Sequence, residues 1–389
     1  MLYLDNAATT PLHPKALEAM MPYLTEHFAN PSSVYSPARK VRAAIDEARQ
    51  TIATAINAEP SEIFFTSGGT EADNWAIKGL WSSEKGGHII TTQIEHHGIL
   101  NVFEYLKKQG FEVTYLPVDI EGLVNPQDLE NAIKPDTRLI SIIFANNEVG
   151  SIQPMKALSD IARKHKIPLH TDAVQAVGNI PVDVHALGVD MLSLSAHKFQ
   201  GPKGVGALYV KKGTRLAAIF HGGAQEKNRR AGTENAVGII GMGAALKLSI
   251  EAMPKETKRI SEIRDKLIHE ILTKIPHTKL NGTTGDKRLP GNVNISFSFI
   301  EGESLLLHLD MNECYASTGS ACSSGALEPS HVLMAMGIGH ELSNGALRFS
   351  LGHGNTEEDI TKLMAILQPA VEKLRSLSPL YDDFLRSNG

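Results

Sequence analysis

Two polar residues that follow apolar, strand-like runs could carry covalent and acid–base chemistry. Asp172 ends the run Pro168–Asp172, and Lys198 lies three residues after the run Met191–Ser195. A lysine removed from water can have a lowered pKa and form an imine, while a buried carboxylate can pair with a protonated ring nitrogen. Each residue alone also has an ordinary interpretation, Lys198 as a surface lysine and Asp172 as a helix N-cap. Their positions after consecutive strands favour a shared site at one edge of a sheet.

A glycine-rich turn lies earlier in the chain, where the segment Thr66–Glu71 (TSGGTE) follows the strand-like run Ile63–Phe65 and opens a helix. Backbone N–H groups at a helix start, together with the positive end of the helix dipole, favour a phosphate. A capped strand-to-helix turn without a ligand is the alternative. The segment matches neither the P-loop nor the GxGxxG pattern, so it gives no support for a nucleotide.

The two cysteines of the chain have different surroundings. Cys322 lies in Ala316–Gly325, a run of small residues with glycines on both sides, which predicts a mobile loop that presents a nucleophilic thiol. An exposed but inert thiol is the alternative. Cys314 is predicted to be packed in the interior. Two cysteines in so long a chain are too few for a disulfide framework and favour a reducing, cytoplasmic setting.

Three further groups are weaker candidates. Glu95–His97 follows the run Ile89–Thr92 and could place an imidazole over a planar ring, or could lie in a solvated loop. Asn146–Gly150 offers amides in the same layer, or only a turn. The pair Arg229-Arg230 alone predicts a solvated basic spot. No cysteine or histidine spacing matches a zinc site.

A strand–helix alternation from about residue 60 to residue 210 must position these groups. Because such alternation is typical of parallel sheets, we predict an α/β fold with a mostly parallel, seven-stranded sheet covered by helices on both faces. The predicted strands are Ile63–Thr66, His88–Thr92, Val113–Leu116, Leu139–Phe144, Pro168–Asp172, Met191–Ser195 and Val205–Val210. The predicted helices are Glu71–Trp81, Gly98–Lys108, Pro126–Lys134 and Met155–Lys166.

Beyond residue 210 the pattern changes to that of a smaller α+β domain. We place the boundary near Met253–Lys258, so that residues 15–255 form a large domain and residues 1–14 with 256–389 form a small domain that carries the cysteine loop. Residues 1–14 are expected to be extended, near the interface between the domains. The other predicted elements are the helices Ala16–Phe28, Ala236–Met253, Lys258–Ile275, Ser304–Asn312 and Glu357–Leu377, and the strands Asn292–Phe299 and Ala346–Ser350.

The composition of the 389 residues is that of a globular protein, with 42% hydrophobic and 21% charged residues. The formal net charge of −5 gives no electrostatic signature of binding to nucleic acid or to an anionic membrane. No apolar run is expected to reach the roughly 20 residues of a membrane-spanning helix. The first residues lack the basic and apolar regions of a signal peptide, which agrees with a cytoplasmic location.

Taken in order, these motifs resemble one known family. Over nearly its whole length the chain is similar to the cysteine desulfurases of the NifS/IscS type, within the fold-type I, class V aminotransferases that use pyridoxal 5′-phosphate (PLP). The resemblance implies a large PLP-binding domain, a smaller C-terminal domain and a homodimer. The matching segments are Asp5–Thr10, Asn30–Ser33, Thr66–Glu71, Asn146–Gly150, His170–Gly178, Ser195–Gly204, Arg230–Asn235, Ser317–Ser323 and Leu327–His331.

The resemblance implies roles for the residues around the coenzyme. Lys198 would bind PLP covalently and move protons, Asp172 would keep the ring nitrogen protonated, and His96 would stack on the ring and take part in proton transfer. Gln175 and Asn147 would hydrogen-bond the phenolic oxygen. The residues that would hold the phosphate are Gly69, Thr70, Ser195 and His197, joined by Thr233 from the second subunit.

The resemblance also implies the reaction. Arg348, assisted by Asn147, would bind the carboxylate of L-cysteine, because a guanidinium forms two parallel hydrogen bonds with a carboxylate. Cys322 would attack the substrate sulfur, release L-alanine and keep a persulfide. The sulfur would then pass to an acceptor protein such as an iron–sulfur scaffold, or to the synthesis of thio-cofactors or thiolated tRNA. No metal, nucleic acid or membrane is expected as a partner.

Other functions on the same scaffold stay open at this point. They are a selenocysteine lyase, a transaminase, and a non-catalytic scaffold for sulfur assembly. Amino transfer needs no thiol, and a scaffold needs neither Lys198 nor Arg348, so the residues favour the desulfurase. One departure from the family pattern lies near the substrate end of the site, where His353-Gly354 replaces the usual arginine and aromatic residue.

Overall fold

A computed structural model describes residues 1–81, 86–319 and 329–388. The strands are β1 (Leu2–Tyr3), β2 (Ile63–Thr66), β3 (Gly87–Thr92), β4 (Phe111–Leu116), β5 (Thr137–Ser141), β6 (Leu169–Asp172), β7 (Met191–Ser195), β8 (Gly206–Val210), β9 (Thr278–Leu280), β10 (Asn292–Phe297), β11 (Cys314–Tyr315) and β12 (Ala346–Ser350). The helices are α1 (Pro14–Thr25), α2 (Ser36–Ala55), α3 (Gly69–Lys78), α4 (His97–Lys108), α5 (Pro126–Ala132), α6 (Met155–Lys164), α7 (Val184–Leu187), α8 (Gln225–Asn228), α9 (Ala236–Lys274), α10 (Gly302–Asp310), α11 (His331–Ala335), α12 (His340–Asn344), α13 (Glu357–Ser376) and α14 (Pro379–Asn388).

Strands β2 to β8 form a seven-stranded sheet in the order β2-β8-β7-β6-β5-β3-β4. Neighbouring strands are parallel except for β8, which is antiparallel to both β2 and β7. Every residue of β6, β7 and β8 is buried, as expected for strands covered on both faces. The predicted α/β fold with a mostly parallel sheet is therefore confirmed.

Apolar side chains from helices cover both faces of this sheet. On one face α3 and α4 contribute Trp75 and Phe103 to a cluster with Ile89, Met191 and Leu208. On the other face α2, α5, α6 and the first half of α9 pack in a larger cluster. This two-layer burial leaves the ends of the strands as the places where polar side chains can gather.

A third apolar cluster lies around a three-stranded antiparallel sheet in the order β12-β10-β9. It is built from these strands, α10, α13 and the second half of α9, and it includes Leu2 and Leu4 from the N-terminus. Strand β1 pairs with β11, and Asp5 forms a bridge with Ser350 at the end of β12. The N-terminal segment thus lies against β12, and the backbone N–H of Thr10 donates to the carbonyl of His197 beyond β7 (3.0 Å).

The two helices predicted as Ala236–Met253 and Lys258–Ile275 are one continuous helix, α9, and the prediction of two was wrong. Pro254 lies inside α9, where its ring removes a hydrogen bond without ending the helix. The predicted domain boundary therefore falls within a helix that enters both apolar clusters. By length and composition α9 could also cross a membrane, contrary to expectation, but half of its most apolar stretch is buried in the protein, as in a core helix.

Other boundaries differ from prediction by a few residues. The strand predicted as Asn292–Phe299 ends at Phe297, and Phe299 has a φ of +69°, which a strand cannot accommodate. The helix predicted to reach Lys166 ends at Lys164, and Lys166 has a φ of +59°. The strand predicted as Leu139–Phe144 is Thr137–Ser141, although the N–H groups of Ile142 and Phe144 still bond to carbonyls of the β6 region.

Candidate active site

Lys198 ends a single 3₁₀ turn, Ala196–Lys198, that directly follows β7. Its Nζ donates to the backbone carbonyls of Ala7 (2.5 Å) and Ala8 (2.8 Å). Gln175 Nε2 donates to the same Ala7 carbonyl (2.9 Å), so the predicted lysine and glutamine meet at the N-terminal segment. Both side chains line a cavity, with Lys198 partly buried. This environment differs from that of a surface lysine.

Asp172 lies at the carboxyl end of β6, next to β7, and is 5% exposed. Its Oδ1 accepts a hydrogen bond from the N–H of Val174 (2.9 Å), so the carboxyl also shapes the turn that follows. Burial raises the pKa of Asp172, while the charges of His96 and Lys198 lower it. Asp172 therefore combines the two interpretations that the sequence left open, a turn-forming residue and a buried carboxyl facing basic groups.

Two more buried carboxyls, Asp73 and Glu95, lie near Asp172, and Asp73 was not predicted from the sequence. Asp73 is 1% exposed, and its Oδ1 has no hydrogen-bond partner among the described residues. Burial, and then the charge of Asp172, raise the pKa of Asp73 well above its usual value. Burial raises the pKa of Glu95 to about 8. Because burial also lowers the pKa of His170 to about 3, this imidazole, 3.7 Å from Asp73, is neutral and brings no positive charge to Asp73.

His96 is the N-cap of α4, and its Nδ1 accepts a hydrogen bond from the N–H of Gly98 (3.0 Å). Burial lowers the pKa of His96, the charge of Asp172 opposes this, and the charge of Lys198 adds to it. A neutral ring with Nδ1 as the acceptor carries its proton on Nε2. His96 is thus a half-buried, oriented imidazole that lies within electrostatic reach of both Asp172 and Lys198.

The predicted phosphate site is the start of α3, which begins at Gly69 directly after β2. The first N–H groups of a helix have no partner within it, so they are available to an anion. Ser195, at the end of β7, closes this site: its Oγ lies 3.8 Å from where a Cβ on Gly68 would be. A Cβ on Gly69 would lie 2.7 Å from the side chain of Val174, which explains the glycine. Thr70 occupies the first turn.

His197 lies beside Lys198, and its Nδ1 is 3.2 Å from Thr9 Oγ1. Burial, with the neighbouring Lys198 charge, lowers the pKa of His197 to about 4, so the imidazole is neutral near pH 7. Thr233 is exposed, and the structure gives it no hydrogen bond to another described residue. Its segment is nevertheless tied to the phosphate end, because Arg230 forms two hydrogen bonds with Glu71 on α3 (2.8 and 3.0 Å).

Arg348, in the middle of β12, is 4% exposed. Its Nη1 donates to the backbone carbonyl of Asn147 (3.0 Å), its Nη2 bonds to Asp5 Oδ1 (2.8 Å), and its Nε is buried without a partner among the described residues. Arg348 and Asn147, which were both predicted at the carboxylate end of the substrate, are thus in contact, whereas Asp5 was missed as the counterion. Two residues after Asp5, Ala7 contacts Lys198, so the guanidinium and the amine lie at one site.

Cys322 lies outside the described residues. Before that stretch, a Cβ on Gly319 would lie 2.8 Å from Glu148 Oε2, and after it Ser330 donates a hydrogen bond to the same oxygen; Glu148 directly follows Asn147. Cys314 is buried as predicted, and burial raises the pKa of its thiol to about 11, which makes it a poor nucleophile. Within the described ranges, no group of three or more potential ligands could hold a metal ion.

Comparison with known proteins agrees with this geometry. The family model "Aminotransferase class-V" matches residues 2–363. The chain belongs to the class-V aminotransferase family. It is 52% identical over 389 residues to the cysteine desulfurase IscS of Clostridium botulinum, covering 99% of this chain and 98% of the relative. The resemblance to the NifS/IscS-type cysteine desulfurases is thereby confirmed, and the chain is a PLP-dependent enzyme of that group.

Two solved structures have the same fold. A NifS-like protein superposes with a TM-score of 0.88 at 37% identity, covering 96% of this chain and 99% of that one. A structure titled "SspA in complex with cysteine" superposes with a TM-score of 0.80 at 38% identity, covering 90% and 99%. The fold predicted from the sequence, a fold-type I PLP enzyme, is therefore confirmed.

The residues present fit PLP. The helix start at Gly69 and the hydroxyl of Ser195 suit a phosphate, and Lys198 follows Ser195, the last residue of β7, by three residues. The buried carboxyl of Asp172 suits a protonated ring nitrogen. The buried, unpartnered Nε of Arg348 suits an anionic substrate group. The roles of the individual residues stay predictions.

Proposed function

We propose that the protein converts L-cysteine to L-alanine and transfers the sulfur to Cys322 as a persulfide. The observation that carries this proposal is that the N-terminal segment contacts both Arg348 and Lys198. Asp5 accepts a hydrogen bond from Arg348, and the carbonyls of Ala7 and Ala8 accept hydrogen bonds from Lys198. Because a residue spans at most about 3.5 Å, groups held two or three residues apart are separated by a distance that a small amino acid can bridge. The solved relative titled as a complex with cysteine supports cysteine as that amino acid.

Arg348 and Asn147 bind and orient the substrate in this proposal. The Nε of the guanidinium is buried without a partner among the described residues, and Nη2 is bonded to Asp5, so a group that accepts hydrogen bonds from Nε and shares Nη2 with Asp5 would complete the pairing of the guanidinium. A substrate carboxylate is such a group. Its binding would place the substrate amine towards Lys198 and the thiol towards the remaining open side of the site.

Lys198 would hold PLP and then move protons. Bound PLP supplies an electron-accepting ring that stabilises negative charge at the substrate Cα. Asp172, as the buried carboxyl at the end of β6, would keep the ring nitrogen protonated. Lys198 would remove and return protons at the substrate Cα, with the neutral His96 nearby as a second proton carrier.

Cys322 would take the sulfur in a step that balances without an external oxidant. Its thiolate attacks the substrate sulfur, so an S–S bond forms as the substrate Cβ–S bond breaks. The electron pair of the broken bond stays with the carbon fragment, which takes up protons and leaves as L-alanine. The sulfur remains as a persulfide on Cys322, with the same number of electrons on both sides of the exchange.

Mass spectrometry of the PLP-loaded enzyme after one equivalent of L-cysteine tests the proposal. We expect added mass of about one sulfur, roughly 32 Da, on the Cys322 peptide, and L-alanine in equal amount. Cys322→Ser should still change the PLP absorbance with L-cysteine but keep no sulfur, while Cys314→Ser, the matched control, should behave as the parent. Alanine without sulfur on Cys322 would contradict the proposal, and consumption of a keto acid would indicate a transaminase.

The partner proteins are part of the proposal. We infer a homodimer, because Thr233 is exposed in the single chain although the resemblance places it at a coenzyme phosphate. We also infer a cytoplasmic enzyme that passes its sulfur to an acceptor such as an iron–sulfur scaffold. Sedimentation of the purified protein tests the dimer, and transfer of radioactive sulfur from loaded enzyme to candidate acceptors tests the partner. A monomer, or transfer only to acceptors that build no iron–sulfur cluster, would correct these points.

A further inference from the structure

The main chain of the turn Asn146–Glu148 is held by the side-chain amides of Asn146, Asn292 and Asn294. Asn146 Oδ1 accepts hydrogen bonds from the N–H groups of Glu148 and Val149, both at 2.9 Å. The carbonyl of Glu148 accepts from Asn292 Nδ2 (2.9 Å) and from Asn294 Nδ2 (3.1 Å) on β10. These contacts hold the main chain of the turn without using the Glu148 carboxylate.

The Glu148 carboxylate makes a different set of contacts. It is buried, with Glu148 only 2% exposed, and its Oε2 accepts a hydrogen bond from Ser330 Oγ (2.5 Å). A Cβ on Gly319 would lie 2.8 Å from the same Oε2, and Gly319 has a φ of +86° that favours glycine. One carboxylate therefore lies against residues 319 and 330, between which Cys322 occurs in the sequence.

The residues before and after the Cys322 segment also form hydrogen bonds that connect them to other residues of the site. Ser317 and Arg348 exchange two backbone hydrogen bonds (2.6 and 3.1 Å), and the N–H of Gly319 donates to Ser317 Oγ (3.1 Å). Arg348 in turn donates to the carbonyl of Asn147, the residue before Glu148. On the other flank, His331 Nε2 lies 3.0 Å from the carbonyl of Glu95.

We infer that Glu148 is a positioning residue: it accepts a hydrogen bond from Ser330 and packs against Gly319, and it thereby restrains the residues before and after the segment carrying Cys322 relative to the bound substrate. The inference rests on the proposed function, because it gives Glu148 a purpose only if Cys322 accepts sulfur. For a stretch of fixed length, fixing its two ends narrows the region that a group between them can reach. A narrower region raises the effective concentration of a nucleophile at its target.

Removal of the carboxylate should therefore slow sulfur transfer more than it weakens substrate binding. In the PLP-loaded enzyme, Glu148→Ala is expected to lower the rate of Cys322 persulfide formation about tenfold or more, since misplacement by about 1 Å can have larger effects. The absorbance change of PLP on mixing with L-cysteine should keep its amplitude and its apparent Kd within about threefold, because the contacts of the Arg348 guanidinium with Asp5 and with the Asn147 carbonyl do not use the Glu148 carboxylate. Rapid quenching with an alkylating agent and mass spectrometry measure the first quantity, and stopped-flow absorbance measures the second.

Three further variants separate positioning from general damage. Glu148→Gln keeps an oxygen that can accept from Ser330, and should restore most of the rate. Ser330→Ala removes the donor and should slow persulfide formation, whereas Ser330→Thr, which keeps the hydroxyl and the helix N-cap, should not. Asn125→Ala is the matched control, because it removes the N-cap of α5 without contacting Glu148.

The outcomes distinguish this inference from the proposed function. If the parent enzyme forms no persulfide on Cys322, the proposed function fails. If the parent forms it and both Glu148→Ala and Ser330→Ala form it at the parent rate, the positioning role is overturned. Equal losses of persulfide formation and of the absorbance response would also overturn it, because they would show a general defect of the site.

Discussion

The two ends of the candidate site are both buried but differ in how their charges are compensated. At the end formed by β6 and α3, Asp172, Asp73 and Glu95 are carboxyls whose pKa values are raised, first of all by burial. At the end formed by β12, Arg348 is equally buried but is paired with Asp5 at 2.8 Å. At the first end the charges of His96 and Lys198 offset the effect of burial on Asp172 only in part, whereas Arg348 at the other end already has its counterion.

This difference indicates what each end is built to receive. Burial of a carboxylate is costly, and the basic groups near Asp172 offset this cost only in part, so Asp172 would gain from a cationic partner such as a protonated ring nitrogen. Burial of a paired arginine costs less, but any incoming carboxylate must share the guanidinium with Asp5. We therefore expect the end of the site that contains Asp172 to govern the rate of the chemical step, and the end that contains Arg348 to govern substrate affinity.

Asp172→Asn should have the largest effect, because it removes the charge that keeps the ring nitrogen protonated. We expect kcat for alanine formation to fall roughly a thousandfold, comparable to the loss of a group that stabilises transition-state charge. Single-turnover alanine formation measures it. The matched control is Asp190→Asn, which alters an aspartate before β7 at the opposite end of the strand, bonded to the N–H of Leu169. Similar losses in both variants would show that the effect is structural.

Arg348→Lys should raise KM for L-cysteine more than it lowers kcat. The lysine keeps the charge but loses the planar fork, and a hydrogen bond between charged groups contributes about 1.5–3 kcal/mol, or roughly ten- to a hundredfold in affinity. Steady-state kinetics with L-cysteine separate the two constants. Arg375→Lys, at another buried arginine that donates to the carbonyls of Ser298 and His277, is the control. A fall in kcat with unchanged KM would assign Arg348 to the chemistry.

Glu95 should make the folded enzyme less stable as the pH rises. Its pKa is about 8 in the folded protein against 4.5 as its ordinary value, so between these values only the folded state keeps the proton. The contribution of the Glu95 proton to the free energy of unfolding is fully present below about pH 4.5 and is lost as the pH rises through about 8. A difference of one pKa unit corresponds to about 1.4 kcal/mol of that free energy. Urea unfolding at about pH 6 and about pH 9, on either side of the folded-state pKa, measures it.

The variant Glu95→Gln isolates that contribution, because an amide mimics the protonated carboxyl and does not titrate. The fall in unfolding free energy between the two pH values should be smaller in Glu95→Gln than in the parent. Glu62→Gln, at another buried glutamate that accepts two backbone N–H groups, should leave the fall unchanged. An identical pH dependence in all three proteins would show that Glu95 is ionised in the folded state at neutral pH.

The end of the site that contains Asp172 and Lys198 could be predicted from the sequence, because both residues follow strands. Asp172 and Lys198 follow consecutive parallel strands, and the buried strands β6 and β7 give clear apolar runs. Residues at the carboxyl ends of neighbouring parallel strands must lie close together, whatever the loops do. The order of strands along the chain was therefore enough to imply that the two side chains are neighbours.

The arginine end could be predicted only in part. Asp5 and Arg348 are far apart in the sequence, and no spacing shows that an extended N-terminal segment pairs with β12. Asp73 escaped notice because a polar residue on a helix normally faces water, whereas α3 turns it towards His170. The continuity of α9 was missed because a proline such as Pro254 usually interrupts a helix. Here the two halves of α9 pack in separate apolar clusters, and this packing overrides the preference.

Asp5→Asn should have the smallest effect and the opposite sign. An asparagine oxygen can still accept the hydrogen bond from Arg348, but the negative charge that competes with the substrate carboxylate is gone. We expect KM for L-cysteine to fall about two- to fivefold, a change of less than about 1 kcal/mol, with kcat unchanged. Glu313→Gln, which removes the exposed carboxylate paired with the N-terminal amine, is the control for altered charge nearby. A rise in KM would instead mean that Asp5 orients the guanidinium for the substrate carboxylate. The Arg348 end would then resemble the Asp172 end, because each would use a buried carboxylate to position or stabilise a cationic group.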